Sequence, residues 1–517
     1  MKLENKEFTF DSFLSEMTKL KQEKHFDYLV TIVGEDFGPE EGLGCIYILE
    51  NTETHERISV KQLAKQVGDE YVIPSLYYVW ADVNLLEREV FDFFGIKFLG
   101  HPDMRRLYMR NDFEGWPLRK DFDMSPEKNR FPMTDEPESD WTSEWNLDEH
   151  GNLKETRHRM FDEDDFVMNF GPNHPSTHGV LRLQTVVNGE TIKHVYPHLG
   201  YIHRGMEKMM ESMTYPQTLA MTDRLNYLCA MHHRHALVGV IEEAMGVELT
   251  ERIQYIRTIM DELQRINNHL LFLGTCAQDL SALTAFLYCM RDREHLLNVM
   301  EETTGGRLIQ NYYRIGGLQD DIDPNFVQNV KTFCTYMRPN VQEYLDVFGD
   351  NVITHQRLEE VGFMNLKDSI DYALTGPAGR AAGWKNDVRK NHPYAMYGKV
   401  DFEEFDDRSK SMTSKEILQI IEVARRIQAD RFNDRDFYVN SQMTSEDIDR
   451  YCSLDQDSAM VAGSLYKKYG LSNRSYTRLI KLARTIADLE ARESISSRDI
   501  VEVFSYRKAY YKYFCPY

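Results

Sequence analysis

The chain has no Cys-x-x-Cys pair, no long apolar run and no phosphate-cradling glycine loop, and each gap removes a class of function. Its seven cysteines, Cys45, Cys229, Cys276, Cys289, Cys334, Cys452 and Cys515, are dispersed, which suits free thiols in a reducing compartment better than a disulfide framework. No stretch approaches the roughly 18 to 20 apolar residues that span a bilayer, and the start, Met1 to Glu7, lacks the apolar core of a signal peptide. A Gly-x-x-x-x-Gly-Lys-Ser/Thr loop is absent: Gly376, Gly379 and Gly383 precede Trp384-Lys385 at the wrong spacing, so no part of the sequence is suited to cradle nucleotide phosphates. Positive charge is scarce as well. With 61 Lys and Arg against 83 Asp and Glu the net charge is -22, which disfavours unassisted binding to nucleic acid or to an anionic bilayer. The expectation is a soluble intracellular chain that reaches any membrane only through partners.

What is present divides along the chain. At 517 residues there is room for roughly two to four domains. Residues 1–122 mix strand-like runs (Tyr28 to Val33, Cys45 to Leu49, Tyr77 to Val83) with helical segments (Asp11 to Lys21, Asn84 to Phe94), which predicts an α+β domain. Residues 123–165 are polar, acidic and broken by Pro126, Pro132 and Pro137, and read as a connector; its Trp141 and Trp145 are costly to leave in water and suggest packing across a neighbour. In residues 166–402, the run Gly171-Pro172-Asn173-His174-Pro175-Ser176-Thr177-His178-Gly179 sets two histidines and two small hydroxyls on a turn. A hairpin follows, with strands Val180 to Val187 and Glu190 to Tyr196 joined by Asn188-Gly189. Ile253, Ile256, Ile259, Met260, Leu263, Ile266, Leu270 and Leu271 then mark the apolar stripe of a long helix, and Ala282 to Met300 a second, which predicts a helix bundle. A charged junction, 403–413, leads to residues 414–507, expected to be a small all-α bundle.

The turn, together with Pro197-His198-Leu199-Gly200-Tyr201-Ile202-His203-Arg204-Gly205-Met206-Glu207-Lys208, Thr222 to Tyr227, Gln278-Asp279-Leu280, Asn311 to Gly317 and Asp387 to Lys390, resembles the D subunits of proton-pumping NADH:quinone oxidoreductase, respiratory complex I. Glu87 to Ile96, His101 to Arg106 and Phe113 to Phe122 resemble the C subunits, so the chain is similar to C/D fusions. The resemblance implies a hydrogenase-large-subunit-like fold for the D part. Hydrogenase metal chemistry itself needs soft thiolate pairs, which are missing. It further implies a peripheral-arm subunit on the cytoplasmic side of the bacterial inner membrane, with the B, I and H subunits of complex I as partners and no cofactor of its own. His178 and Tyr227 would contact the quinone head group, Asp279 would pair with the histidine, and Arg204 would approach an iron–sulfur cluster held by the B subunit. Imidazole and phenol both hydrogen-bond a carbonyl oxygen and supply protons as quinone becomes quinol; the plain alternatives are a packing triad, and an ion pair of Arg204 with Glu207. The run His232-His233-Arg234-His235 offers only His232 and His235 on one helix face, with no carboxylate or thiol at ligand spacing, and is left out as a metal site.

The D-like pattern stops near Phe402. Ser414 to Ile417, Ala424 to Gln428, Asn440 to Met443, Leu471 to Arg478 and Leu482 to Leu489 instead resemble the helical lid of magnesium-chelatase-like AAA+ ATPases, in which Arg474 would correspond to a nucleotide-sensing arginine. Without a phosphate loop, an AAA+ regulator is disfavoured. A truncated, chimeric structural or interaction protein without redox activity remains the alternative to a working quinone-site subunit. One departure bears on the quinone: where many relatives place a histidine two residues after the arginine matching Arg307, this chain has Ile309, which cannot couple cluster reduction to protonation. A redox titration of the assembled complex is therefore expected to show a terminal cluster of lower, less pH-dependent potential, suited to a low-potential quinone such as menaquinone; a strongly pH-dependent potential would contradict this.

Overall fold

Alternating apolar residues at Cys45, Tyr47 and Leu49, all fully buried, build the central strand of the first sheet. The computed structural model describes residues 4–125, 140–162, 165–402, 414–435, 437–468 and 472–505. Strands β1 (Glu4–Glu7), β2 (Tyr28–Asp36), β3 (Leu43–Glu50) and β4 (Arg57–Leu63) form a sheet in the order β1-β4-β3-β2, antiparallel except for the parallel β1/β4 pair. Helix α1 (Phe13–Gln22) buries Phe13, Met17 and Leu20, one stripe at spacings of three and four, and Phe13 meets Tyr47 with ring centroids 5.3 Å apart. Strands β5 (Lys65–Val67), β6 (Glu70–Pro74), β7 (Ile96–Leu99), β8 (Trp141–Leu147) and β9 (Leu153–Arg159) form a second sheet in that order. Between β6 and β7 runs helix α2 (Val83–Phe94), which ends at Gly95 with φ +70, where a Cβ would lie 2.4 Å from the Trp116 ring.

Two expectations for this region change. Tyr77 to Val83 is not a strand: residues 77–79 form a turn, with the Val79 and Trp80 N–H groups bonded back to the Leu76 carbonyl and the Trp80 indole N–H donating to Asp27 O at 3.1 Å. Pro74 closes the real strand. The connector also holds structure: β8 and β9 are a hairpin that extends the sheet, with Trp145 packed on the core under the Lys97 ammonium, 3.8 Å from its ring centroid. Pro126, Pro132 and Pro137 lie outside the described residues.

The charged run of α2 is used internally. Asp92, fully buried, accepts from the backbone N–H of Leu107, Tyr108 and Met109 (3.0, 2.7 and 2.9 Å) and from Arg106 (2.9 Å), so it anchors the loop after β7.

Next come β10 (Phe166–Phe170), the short pair β11 (Asn173–His174) and β12 (Gly179–Val180), then β13 (Arg182–Asn188) and β14 (Thr191–His198). The expected hairpin is β13/β14, turning at Asn188↔Thr191 with an irregularity between Val186 and Val187, and β10 adds a third strand. Helices α3 (Met206–Met210), α4 (Tyr215–Thr222), α5 (Ala230–Met245), α6 (Glu251–Asp279) and α7 (Leu283–Thr304) follow, then a tight pair β15 (Tyr313–Arg314) and β16 (Gly317–Leu318). Helices α8 (Phe326–Tyr344), α9 (Val352–Leu358), α10 (Leu366–Asp371), α11 (Gly376–Ala381) and α12 (Val388–Asn391) complete the first of two units, which spans Met1–Glu403. Ile256, Met260, Leu263 and Leu270 of α6 are buried as the stripe predicts, whereas Ile259 faces out. No helix among the described residues is long and apolar enough to cross a membrane.

Within this unit, polar contacts tie the N-terminal sheet to the later segments. Lys21 pairs with Asp371 (2.9 Å), Tyr28 meets Trp384 edge-on (4.9 Å), and His392 Nε2 lies 3.4 Å from Glu50, which also holds Arg57 (2.6 Å).

The second unit, Glu404–Tyr517, contains α13 (Ser414–Arg431), α14 (Ser445–Tyr451), α15 (Gln456–Lys468), α16 (Asn473–Leu489) and α17 (Ser497–Ser505). Its fully buried Asp488 accepts from Arg431 (2.8 Å), Asn440 (2.7 Å) and Arg484 (3.1 Å). The Arg474 side chain, the 403–413 junction and Cys515 lie outside the described residues.

Glu87, fully buried on α2, accepts from the Ser75 hydroxyl (2.6 Å) and the Leu76 N–H (2.8 Å), yet burial pushes its carboxyl up to about 8. A carboxyl that binds its proton more tightly folded than unfolded favours the fold below the unfolded value, and that contribution is lost as pH rises toward the folded one. Chemical denaturation of Glu87→Gln is therefore expected to show a smaller loss of stability between about pH 4.5 and about pH 8 than the parent chain; an unchanged slope would refute the assignment.

Candidate functional site

The turn before β13 is fixed by close backbone contact. At Gly171 φ is +84 and a Cβ would lie 2.0 Å from the Leu181 carbonyl oxygen, so only glycine fits without displacement. Asn173↔Val180 and His174↔Gly179 pair antiparallel, and Pro175–Thr177 make a single 3-10 turn between them. The His174 Nδ1 accepts from the Ser176 N–H (3.2 Å), and the Thr177 hydroxyl donates to the His174 carbonyl (2.9 Å). These bonds leave His178 at φ +51, capping the turn, with its ring turned outward.

That ring meets the far end of α6. His178 Nε2 lies 2.8 Å from Asp279 Oδ2, and the two side chains are 41% and 46% exposed, so the pair is open to a ligand on one side. Asp279 is the last residue of the 29-residue helix, where unpaired carbonyls carry partial negative charge and favour a cation. With Nε2 engaged by the carboxylate, Nδ1 is the nitrogen available to a ligand.

Of the other sequence candidates, neither joins this pair by a hydrogen bond. Tyr227 precedes α5 and is about half exposed. Arg204 is exposed and makes no ion pair with Glu207 among the described residues, so the plain alternative for it is not realised. Its neighbour His203 stacks on Phe93 (5.2 Å, 23°) and lies tilted against Tyr108 (5.6 Å), and Lys208 donates to the Arg119 carbonyl (2.9 Å), which fixes the segment against the N-terminal domain. Arg307 is occupied by Asn298 (2.7 Å) and Glu301 (2.5 Å), and Ile309 is half-buried.

Sequence reasoning missed the polar stripe that shares α6 with the apolar one. Arg257, Asp261, Gln264 and Asn267 are buried at helical spacing. Arg257 forks onto Glu242 of α5 (2.9 and 2.8 Å) and also donates to the Arg314 and Gly317 carbonyls (both 2.9 Å). Asp261 accepts from the Tyr313 hydroxyl (2.8 Å) and lies 2.7 Å from His235 Nδ1. His235 is thus a frame residue. His232 is half-buried with neither ring nitrogen hydrogen-bonded, and burial pushes its pKa down. A cleft of about 440 Å³, lined by Met213, Pro216, Met221, Asn311 and Arg314 among others, lies beside this frame and does not include His178, Tyr227 or Asp279.

Comparison with known proteins divides the chain. Residues 8–128 match the family described as respiratory-chain NADH dehydrogenase, 30 Kd subunit, residues 279–427 its 49 Kd subunit, and residues 411–507 the C-terminal part of the magnesium chelatase ChlI subunit. Among relatives, the C/D subunit of NADH-quinone oxidoreductase from Phocaeicola vulgatus is 55% identical over 389 residues, covering 75% of this chain and 74% of its own. That of Bacteroides thetaiotaomicron is 51% identical over 399 residues, 75% of each chain. The NADH-quinone oxidoreductase C/D subunit 2 of Aquifex aeolicus is 37% identical, covering 76% and 68%.

Gly171→Ala is expected to destabilise the first unit by about 1–3 kcal/mol, since it puts alanine at positive φ and against a carbonyl, and to disturb the His178 ring nitrogen resonances by loosening its pair with Asp279. Unchanged melting together with unchanged imidazole shifts would show that the turn does not need this glycine.

Proposed function

The chain belongs to the family of C/D subunits of NADH-quinone oxidoreductase, and on that premise we propose that the His178 turn and the carboxyl end of α6 form one wall of a quinone site. There, electrons from an iron–sulfur cluster in a neighbouring subunit reduce the quinone. Membership makes the chain a subunit of an oxidoreductase complex; the site, the quinone and the neighbours are the proposal. The observation that carries it is the 2.8 Å pair of His178 and Asp279, brought together across 101 residues.

The chemistry follows from the groups. His178 offers Nδ1 to a quinone carbonyl oxygen and can deliver a proton there, while Asp279 holds Nε2 and so sets the tautomer and ring orientation. The Tyr227 phenol is a second donor for the head group once neighbouring chains close the site. Arg204, exposed and without an ion-pair partner among the described residues, is suited to face the partner's cluster, where a fixed positive charge favours the reduced state. Ile309 supports menaquinone as the substrate. The partners on this reading are the B, I and H subunits, on the cytoplasmic face of the inner membrane.

A second reading, a structural or interaction subunit without redox turnover, is favoured by the match of residues 411–507 to another family, which overlaps the end of the 49 Kd match at residue 427. Purification of the complex through this chain separates the two. Co-purification of the B subunit with quinone-dependent NADH oxidation supports the quinone site, and Asp279→Asn, His178→Ala and Tyr227→Phe are then expected to lower that turnover at least tenfold, with NADH oxidation by an artificial acceptor retained. A complex whose quinone turnover is indifferent to all three rules the site out.

A further inference from the structure

Helix α9 buries none of its residues; Val352 and Ile353 are 68% and 60% exposed. Few contacts explain why it stays where it is, but one is specific. Arg357 Nη1 donates to the Leu280 carbonyl oxygen at 2.6 Å. Leu280 caps α6 and is the residue after Asp279, so this bond sets a guanidinium at the helix end that already carries the carboxylate.

From this we infer that Arg357 is a positioning residue of the His178–Asp279 pair, holding the end of α6 and supplying the positive charge that Asp279 requires when His178 is neutral. The inference rests on the quinone-site reading. With His178 protonated, imidazolium and carboxylate balance each other. When the Nδ1 proton passes to an oxygen of the reduced ligand, whose electrons come from the complex, the imidazole keeps its Nε2–H toward Asp279 and becomes neutral. The carboxylate is then left beside the negative end of the helix dipole, which is unfavourable without another cation. Among the described residues, His178 on the turn is the one side chain hydrogen-bonded to Asp279. Cys276 lies one turn back on α6 and feels its charge, and α9 carries His355 and Arg357 in its last turn, of which Arg357 reaches the carbonyl of the residue after Asp279. Cys276 is a thiol whose proton is held more tightly through burial and then through the charge of Asp279, so it brings no positive charge. Arg357 is the cation that the fold delivers.

The test uses the assembled complex. Arg357→Gln is expected to lower kcat for quinone several-fold, and to move the basic limb of the pH–rate profile to higher pH, because removing a neighbouring cation makes the imidazole hold its proton more tightly. Arg357→Lys, which keeps the charge, is expected to keep the limb in place. If Arg357→Gln leaves the limb unmoved, or if Arg357→Lys assembles and shifts it as far as the neutral variant does, the inference is overturned. Should Arg357→Gln not assemble, the Arg357→Lys limb decides: unmoved supports the charge role, moved overturns it. Asp279→Asn in the same assay keeps the two levels apart. If it leaves quinone turnover intact the quinone-site reading fails, whereas if it abolishes turnover and Arg357→Gln leaves the profile alone, only the role of Arg357 fails.

Discussion

A charge inside a helix bundle must be answered where it stands, and the fork of Arg257 onto Glu242 is the answer on which the first unit's site depends. Removing either partner would leave the other buried and unpaired, at a cost of about 3–5 kcal/mol. The same guanidinium donates to the Arg314 and Gly317 carbonyls, and Glu242 accepts from the Gly316 N–H at 2.7 Å, so two charges order α5, α6 and the β15/β16 turn at once. Asp261 repeats the device one turn further along. From Arg257 to Asp279 α6 is a rod of about 33 Å, and fixing one end fixes the direction in which the other points its carboxylate.

Much of this was legible in the sequence, for identifiable reasons. Gly189, at φ +62, supplies the positive φ of the hairpin turn, one residue later than expected because Asn188 still pairs with Thr191, so β13 and β14 could be read from local chemistry. The stripe on α6 could be read from period alone. Tyr77 to Val83 misled because its aromatic and β-branched residues have strand propensity, whereas the segment turns to bury Trp80 and leaves Tyr78 exposed. The hairpin at Trp141–Arg159 was hidden by composition: its strands are polar because they extend a sheet mainly through backbone bonds. Arg257, Asp261 and Gln264 were visible at helical spacing, yet a reading tuned to hydrophobic residues passes over charges that are buried in pairs. Arg357 left no local signal, because its partner is a backbone carbonyl 77 residues away.

The two units obey the same rule by separate means. In the second, Asp488 gathers Arg431, Asn440 and Arg484, and its apolar core includes Phe432, Ala483, Ala487 and Ile500. A domain with its own charge-satisfied centre folds on local terms, which is how a sequence of another family could be joined at the junction without rebuilding the bundle before it.

The contacts that hold the N-terminal domain to the later segments are partly polar: Lys21 with Asp371, Tyr28 with Trp384, Glu50 with His392, and Lys208 with the Arg119 carbonyl. As an encounter between two separate polypeptides, such a surface would depend on how much of each the cell had made. Joined in one chain, each half meets the other at an effective concentration of about millimolar whatever the expression level. The connector thereby fixes a one-to-one stoichiometry at the moment of translation and removes one diffusive step from assembly.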